Sequence, residues 1–315
     1  MKRQSFHLVA RGDLELLECP RFARIPWVRH AYSTRGLRPK NGPGAKLGAG
    51  FNAAAAGLNL GLGEDHRHRR LFLDCLGVGT PVVASLRQIH SSVVHYAWTE
   101  GPGDVRYTPA GCDPAQAASE GPPCGDALVT DQPGILLSVL TADCVPLLLV
   151  DPARRAIAAV HAGWRGSLER IAEKTVSEMR RGFQSQPEEL LAAIGPSIRS
   201  CCYEVGSEVV EAFCGRFTGW EGYFRQPPPD DGSRALALKY PLIFLSTRPP
   251  DRAPKGVAAA RLDLVAVTRD QLQNAGLRSA NIHVADYCTA CRTDLFFSHR
   301  KEGKTGRMMA AIGMI

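Results

Sequence analysis

The sequence predicts an α+β fold in which mixed sheets are layered with helices and the site sits at strand ends. Three observations carry this. Short continuous apolar runs stand at "ILLSVL" (135–140), "VPLLLV" (145–150) and "AIAAVHA" (156–162), and such runs between turns mark strands buried on both faces. The turn "DPARR" between the last two runs is short enough to imply antiparallel pairing. Strand and helix patterns are mixed along the chain, which favours α+β over a doubly wound sheet.

The remaining elements follow in order. After "GWRGS" a helix is predicted over about 168–181, with Ser167 as its cap. Leu168, Ile171, Ala172, Val176 and Met179 recur at helical spacing, and Gly182 can end it. "LLAAIG" (190–195) reads as a strand and residues 207–214 as a short helix starting at Ser207. Residues 263–275 form another helix closed by Gly276, and "NIHVAD" (281–286) and "MMAAIGMI" (308–315) are late strands. Three stretches rich in Gly or Pro, at 37–50, 100–125 and 215–256, read as surface loops. No repeat or long linker divides the 315 residues, so one domain with three excursions is the simplest organisation.

The net charge of +7 fits an anionic ligand or loose nucleic-acid contact. The densest charged cluster, "DHRHRR" (65–70), has no aromatics between its charges, which argues against a dedicated nucleic-acid binder. "MKRQSFHLVARGDLELL" lacks the apolar core of a secretory signal. No apolar run reaches the about 18 residues of a membrane span. The ten cysteines lack framework spacing, and Cys201 and Cys202 are adjacent. A reduced, cytoplasmic protein is expected.

Three residues are candidates for chemistry: His90 in "RQIHSS", Cys144 in "TADCVP" and His161 in "AVHAGW". Two imidazoles and a thiolate make a three-ligand set for Zn²⁺ with a fourth position open, and copper suits the same donors. A bound ion would lower the pKa of its water and polarise a substrate oxygen. Cys144 as the nucleophile of a hydrolase, with one histidine as base, is the rival reading. The bland alternative is a core cysteine and two satisfied histidines. Asp143 stands between apolar runs and must be paired, hydrogen-bonded or functional, as an acid/base or as the carboxylate orienting a histidine. Arg165 beside a helix start can hold an anion. Ser33, Thr34, Arg35 and Asn59 offer further polar groups, though turns use the same types.

"CTAC" (288–291) is a C-x-x-C pair. A second pair at zinc-finger spacing is missing, which argues against a structural zinc, and a redox role would want the pair at a helix start. "FFSHRKEGKTGR" (296–307) reads as a basic loop whose Arg300, Lys301 and Arg307 can touch an anion.

Taken together, "HAYSTRG", "LNLG", "RQIH", "GDALVTDQPGILLSVLTADCVPLLLVDP", "AAVHAGWRG", "AAIGPSIRSCCYEVG" and "FFSHRKEGKTGR" resemble the laccase-domain, YfiH-like family, named for polyphenol oxidase activity. The resemblance spans roughly residues 14–315. It implies zinc-dependent phosphorolysis of purine nucleosides and deamination of adenosine, with a nucleoside and phosphate as partners. It places the metal ligands on His90, Cys144 and His161. From the residues themselves, Asp143 and Arg165 are the expected catalytic groups, and Arg35, Asn59 and Gln88 the expected substrate contacts. A copper polyphenol oxidase and a cell-wall precursor editing hydrolase are the other activities attached to the family. Departures from its pattern include Ser91 where glycine usually follows the first histidine, "HAYSTR" for "HGFSTR", "FFSHRK" for "FFSYRR", and the Pro/Gly/Lys stretch 37–50 in place of a Gly-Gly-rich loop. In a hairpin the start of one strand lies near the end of the next. Cys144 and His161 should therefore meet, with His90 arriving from an earlier strand and Asp143 and Arg165 on the rim.

Overall fold

The computed structural model describes residues 6–37, 58–61, 66–79, 81–101, 103–111, 122–225 and 260–315. Most of the loop predicted at 37–50, residue 102 and residues 112–121 of the second excursion, and 226–256 of the third lie outside the described residues.

Two sheets carry the chain. One orders its strands β1 (His7–Arg11), β2 (Leu14–Glu18), β3 (Val28–Leu37), β15 (Met308–Met314), β8 (Ile135–Thr141) and β4 (Val82–Ala84). The other runs β14 (Ile282–Val284), β11 (Leu191–Ile194), β9 (Val145–Asp151), β10 (Ala156–Ala162), β7 (Ala127–Thr130), β5 (Val94–Trp98) and β6 (Arg106–Pro109). A small ladder joins β12 (Phe224–Arg225) to β13 (Arg261–Leu262). Both large sheets are mixed: β4–β8, β5–β7 and β11–β14 are parallel, and the other neighbours are antiparallel.

Side-chain alternation decides the layering. Along β9, Leu148 and Val150 face the other sheet and join Ile135, Leu137, Val139, Ala310 and Ile312 in one core. Val145, Leu147 and Leu149 point the opposite way, into a second core with Ile171, Ala172, Val176 and Met179 of helix α4 (Ile171–Phe183). On the far side of the first sheet, Leu136, Met309 and Ala311 meet Phe72 and Leu76 of α2 (His66–Leu76). The result is helix, sheet, sheet, helix. It explains why the central strands read as unbroken apolar runs, because each is covered on both faces.

The other α-helices among the described residues are α1 (Pro20–Ala23), α3 (Trp164–Leu168), α5 (Ser207–Cys214), α6 (Leu264–Asn274) and α7 (His299–Glu302). Helix α6 starts on Asp263, whose side chain accepts from the Ala266 amide, and the chain leaves it through Gly276 at φ +104°.

Two boundary expectations change. Ser167 does not cap the long helix; it lies inside the short α3, and Arg170 in the left-handed region (φ 60°) precedes α4. The break between α3 and α4 comes from that left-handed residue, which no side-chain pattern announces. Gly182 does not end α4, which runs to Phe183 with Gln184 as its left-handed cap. Gly182 is small for another reason: a Cβ there would collide with the Tyr96 ring.

Candidate metal centre and active site

The hairpin register sets the site. β9 and β10 pair His161 with Pro146 and Ala162 with Val145, so Cys144, one residue before β9, comes level with the end of β10. His90 arrives on the loop joining β4 to β5, not on a strand. Its backbone takes φ 60°, a conformation His adopts more readily than most residues. One donor atom from each of His90, Cys144 and His161 lies within 4.8 Å of the others. The His90 Nε2 to Cys144 Sγ distance is 3.9 Å. The two imidazoles meet edge to face at 4.9 Å between centroids.

Asp126 organises this cluster, and the sequence reading missed it. It is fully buried at the head of β7. Its Oδ1 accepts from His161 Nδ1 at 2.8 Å and from the His90 amide at 3.1 Å. Its Oδ2 accepts from the amides of Ile89 (3.3 Å) and Ser91 (2.6 Å) and from the Ser91 hydroxyl (2.7 Å). One carboxylate thus shapes the loop that presents His90 and fixes the tautomer of His161, leaving Nε2 to face Cys144. Ser91, where the family pattern has glycine, contributes its hydroxyl to that arrangement. The signal for Asp126 was the same one used for Asp143: an acid heading a buried apolar run, "GDALVT".

The charges reinforce one another. Burial would raise the Cys144 thiol, but the His161 charge and hydrogen bonds from His161 and His90 outweigh it and bring it down to about 6. Burial would lower His161, yet the Cys144 charge and the Asp126 carboxylate lift it to about 9. Burial acts to raise Asp126, and its bonds to His161 and Ser91 hold it below the usual carboxylate range.

The donor set fits Zn²⁺. Tetrahedral zinc with sulfur and imidazole ligands holds neighbouring N and S atoms about 3.6 Å apart, close to the His90–Cys144 separation. Three donors leave one coordination position open, and the oriented imidazole has the carboxylate partner usual for such ligands. Gly163 makes room: a Cβ there would stand 2.8 Å from His90 Cδ2 and 3.1 Å from Cys144 Sγ.

The cluster opens on a cavity of about 670 Å³. Gln88, Asn59, Asp143, Arg165, Arg300 and Arg307 line it, with Leu86, Leu140, Ile198 and Leu264 as apolar wall. Gln88 is fixed by the Leu140 backbone, donating to its carbonyl (2.8 Å) and accepting from its amide (2.7 Å). Asn59 Oδ1 accepts from the amides of Gly61 (3.1 Å) and Arg307 (2.8 Å), tying in the basic loop. Asp143, at φ 97°, accepts from Thr289 Oγ1 and from the Arg300 amide, each at 2.6 Å. The carboxylate that orients a histidine is therefore Asp126, not Asp143. Arg165 lies within α3 and stacks its guanidinium on Trp164 at 4.4 Å. The indole Nε1 of Trp164 is buried without a hydrogen-bond partner among the described residues.

Arg35 is not among the residues lining the cavity. It pairs with Glu302 (2.7 Å), donates to the Thr293 carbonyl (2.8 Å) and stacks on Phe297. Ser33 and Thr34 are buried and bond backbone groups, Ser33 accepting from the Met309 amide and Thr34 donating to the Glu15 carbonyl.

The "CTAC" pair also departs from expectation. A second pair does stand beside it, Cys201 with Cys202, at a spacing no zinc-finger pattern uses. The four thiols gather within 4.8 Å of one another.

A family profile described as multi-copper polyphenol oxidoreductase laccase matches residues 49–242 and 244–315. The chain belongs to this laccase family. Among its relatives is the purine nucleoside phosphorylase YlmD of Geobacillus stearothermophilus, 31% identical over 91% of this chain and 94% of the relative. The adenosine deaminase RL5, from an unknown prokaryotic organism, is 36% identical over 75% of this chain and 77% of its own. A purine nucleoside phosphorylase of Deinococcus radiodurans is 32% identical over 96% and 93%. The crystal structure of the Bacillus licheniformis hypothetical protein YfiH superposes with a TM-score of 0.70 at 27% identity, covering 98% of this chain and 99% of that one. No helix among the described residues of this laccase-family chain is long and apolar enough to cross a membrane.

Proposed function

We propose that this chain is a cytoplasmic, zinc-dependent purine nucleoside phosphorylase that also deaminates adenosine. The observation that carries the reading is the convergence of His90, Cys144 and His161 at a basic cavity large enough for a nucleoside; a volume of about 300–1,000 Å³ is usual for small-molecule sites. The names of its relatives point the same way. A bound Zn²⁺ would supply a Lewis acid for a substrate oxygen and would acidify a water.

The protein's own groups have the following roles. Asp126 takes the Nδ1 side of His161, so that Nε2 is the nitrogen left to bind an ion when its proton leaves. The apolar wall of Leu86, Leu140, Ile198 and Leu264 shelters the base from water. Arg165, steadied on Trp164, holds phosphate for attack on the ribose anomeric carbon. As the glycosidic bond breaks, positive charge develops on the ribose and the adjacent phosphate anion stabilises it. Asp143, oriented by Thr289 and the Arg300 amide, relays a proton from the bound phosphate to a nitrogen of the departing purine. In deamination the same carboxylate moves protons at the purine ring.

Incubation with adenosine or inosine, followed by chromatography, tests the reading. Free base should appear only with phosphate present, and inosine should form from adenosine without it. Zinc-replete protein that releases neither refutes the assignment. Metal analysis separates zinc from the copper of a polyphenol oxidase.

A second reading rests on one observation. Cys144, His161 and Asp126 stand in the order nucleophile, base and orienting carboxylate. A cysteine hydrolase would keep its activity after chelation, whereas the phosphorylase would lose it together with its metal.

A further inference from the structure

We propose that Cys201, Cys202, Cys288 and Cys291 form a second metal site, a tetrathiolate that binds Zn²⁺ and fastens two turns behind the cavity wall. The site shares no residue with the first cluster and does not depend on the proposed activity.

The local backbone explains how adjacent cysteines can serve one ion. In a strand, neighbours point to opposite faces. Residues 199–203 instead form a turn, in which the amides of Cys202 and Tyr203 both donate to the Arg199 carbonyl at 2.9 Å. Successive side chains in a helical turn are rotated by about 100°, so both thiols can face the same point. The C-x-x-C segment makes a turn of its own, closed by the Arg292 amide on the Cys288 carbonyl at 3.0 Å. That spacing sets positions i and i+3 on one side. A parallel bridge between Ser197 and Cys288, with the Thr289 amide on the Ser197 carbonyl at 3.1 Å, lays the two turns side by side.

The sulfur geometry selects the occupant. Cys291 Sγ lies 3.3 Å from Cys202 Sγ and 3.6 Å from Cys201 Sγ, and all four sulfurs fall within 4.8 Å. Zinc–sulfur bonds of about 2.3 Å in a tetrahedron give edges of about 3.8 Å. A disulfide closes two sulfurs to about 2.05 Å and gives no reason for a third and fourth to crowd in. Cys288 is buried and Cys201 and Cys291 are exposed, so the ion would sit at the protein's edge with an entry path.

The fastened segments matter to the cavity. Thr289, inside the C-x-x-C, donates to Asp143 Oδ1, and Ile198, just before the other turn, donates its amide to the Asp143 carbonyl at 2.8 Å. An ion on the four thiols would hold both supports of Asp143 in register.

The test is zinc content and cobalt absorption of the full-length protein. Wild-type protein should carry two equivalents of zinc. Cys144→Ser should lose one, and the Cys201→Ser/Cys291→Ser pair should lose the other. Because that pair could unfold the chain, cobalt loading of Cys144→Ser gives an independent readout that leaves the cluster intact. It should show thiolate-to-cobalt charge-transfer absorption, since the first site then has no thiolate. A Cys144→Ser protein that takes up cobalt without that absorption, or takes up none, overturns the proposal. So does peptide mapping that finds Cys202 and Cys291 disulfide-linked in protein purified under reducing conditions. Failure of the first site alone would look different: one equivalent of zinc, unchanged by Cys144→Ser.

Discussion

Asp126→Asn separates the orientation of the metal ligands from their identity. The substitution keeps the volume but replaces one acceptor oxygen by a donor NH₂. The Oδ2 side faces three donors, from Ile89 and Ser91, so the amide oxygen should stay there. The NH₂ then replaces Oδ1 and faces the His90 amide and His161 Nδ1. The His90 amide loses its acceptor. His161 can pair with the NH₂ only by accepting at Nδ1, which keeps a proton on Nε2 even in the neutral ring and blocks the lone pair that would bind the ion. Loss of such a carboxylate partner costs about 10–100-fold in metal affinity, or about 1.4–2.7 kcal/mol. Removing one partner of a buried pair also costs about 3–5 kcal/mol of stability, against a typical total of about 5–15 kcal/mol. Competition with a zinc chelator on folded protein at low temperature measures the first effect, and urea unfolding of the chelated protein measures the second. Zinc affinity within twofold of wild type would refute the tautomer argument, even if stability fell.

Gly163→Ala should cut zinc content and lower kcat by at least about tenfold, because misplacement of about 1 Å can cost about 100-fold and the new Cβ meets both His90 and Cys144; metal analysis and steady-state kinetics check it. In chelated protein, alkylation of Cys144 by iodoacetamide should rise with a midpoint near pH 6, instead of about 8.5 for an ordinary thiol, and zinc should protect it. The stability linkage has two limits: the lowered Cys144 contribution is lost as pH falls through about 6, and the raised His161 contribution is lost as pH rises through about 9. The first grows with pH across that window while the second fades, so the pair should leave the urea midpoint of chelated protein nearly level there, as a urea series over pH would show. Glu302 is raised by burial but held low on balance by the Ser298 amide and Arg35. Its stabilising effect is present above the ordinary value of about 4.3 and fades as pH falls through its lower folded value. Glu302→Gln should remove about 1 kcal/mol at neutral pH and flatten the acid side of the wild-type unfolding profile.

The parts of the molecule that the sequence made legible are those whose chemistry is local. The runs at 135–140, 145–150 and 156–162 are strands because both faces are covered, and the short turn at 151–155 forces Cys144 and His161 together. Residue type alone drew His90 into the same set. Sheet membership was not legible: β8 and β9 are consecutive and equally apolar, yet belong to different sheets. Asp126 was not legible because its five donors all come from 35 or more residues away, four of them from a loop of no regular pattern. The four-cysteine cluster was hidden for the same reason. Cys202 and Cys291 are 89 residues apart in the chain, and the bridge between Ser197 and Cys288 lays their turns together.

Two of the three donors lie where the chain changes sheets. His90 sits on the passage from β4 to β5, and Cys144 on the passage from β8 to β9. His161 belongs wholly to the second sheet. An ion held by all three is therefore a rivet through the sandwich as well as a reagent. Sliding one sheet across the other would pull the donors apart, so occupancy and cohesion of the two sheets become one equilibrium. Free zinc at 100 times its dissociation constant would add about 2.7 kcal/mol to the folded state. Zinc supply would then set how long the folded chain persists as well as how fast it works.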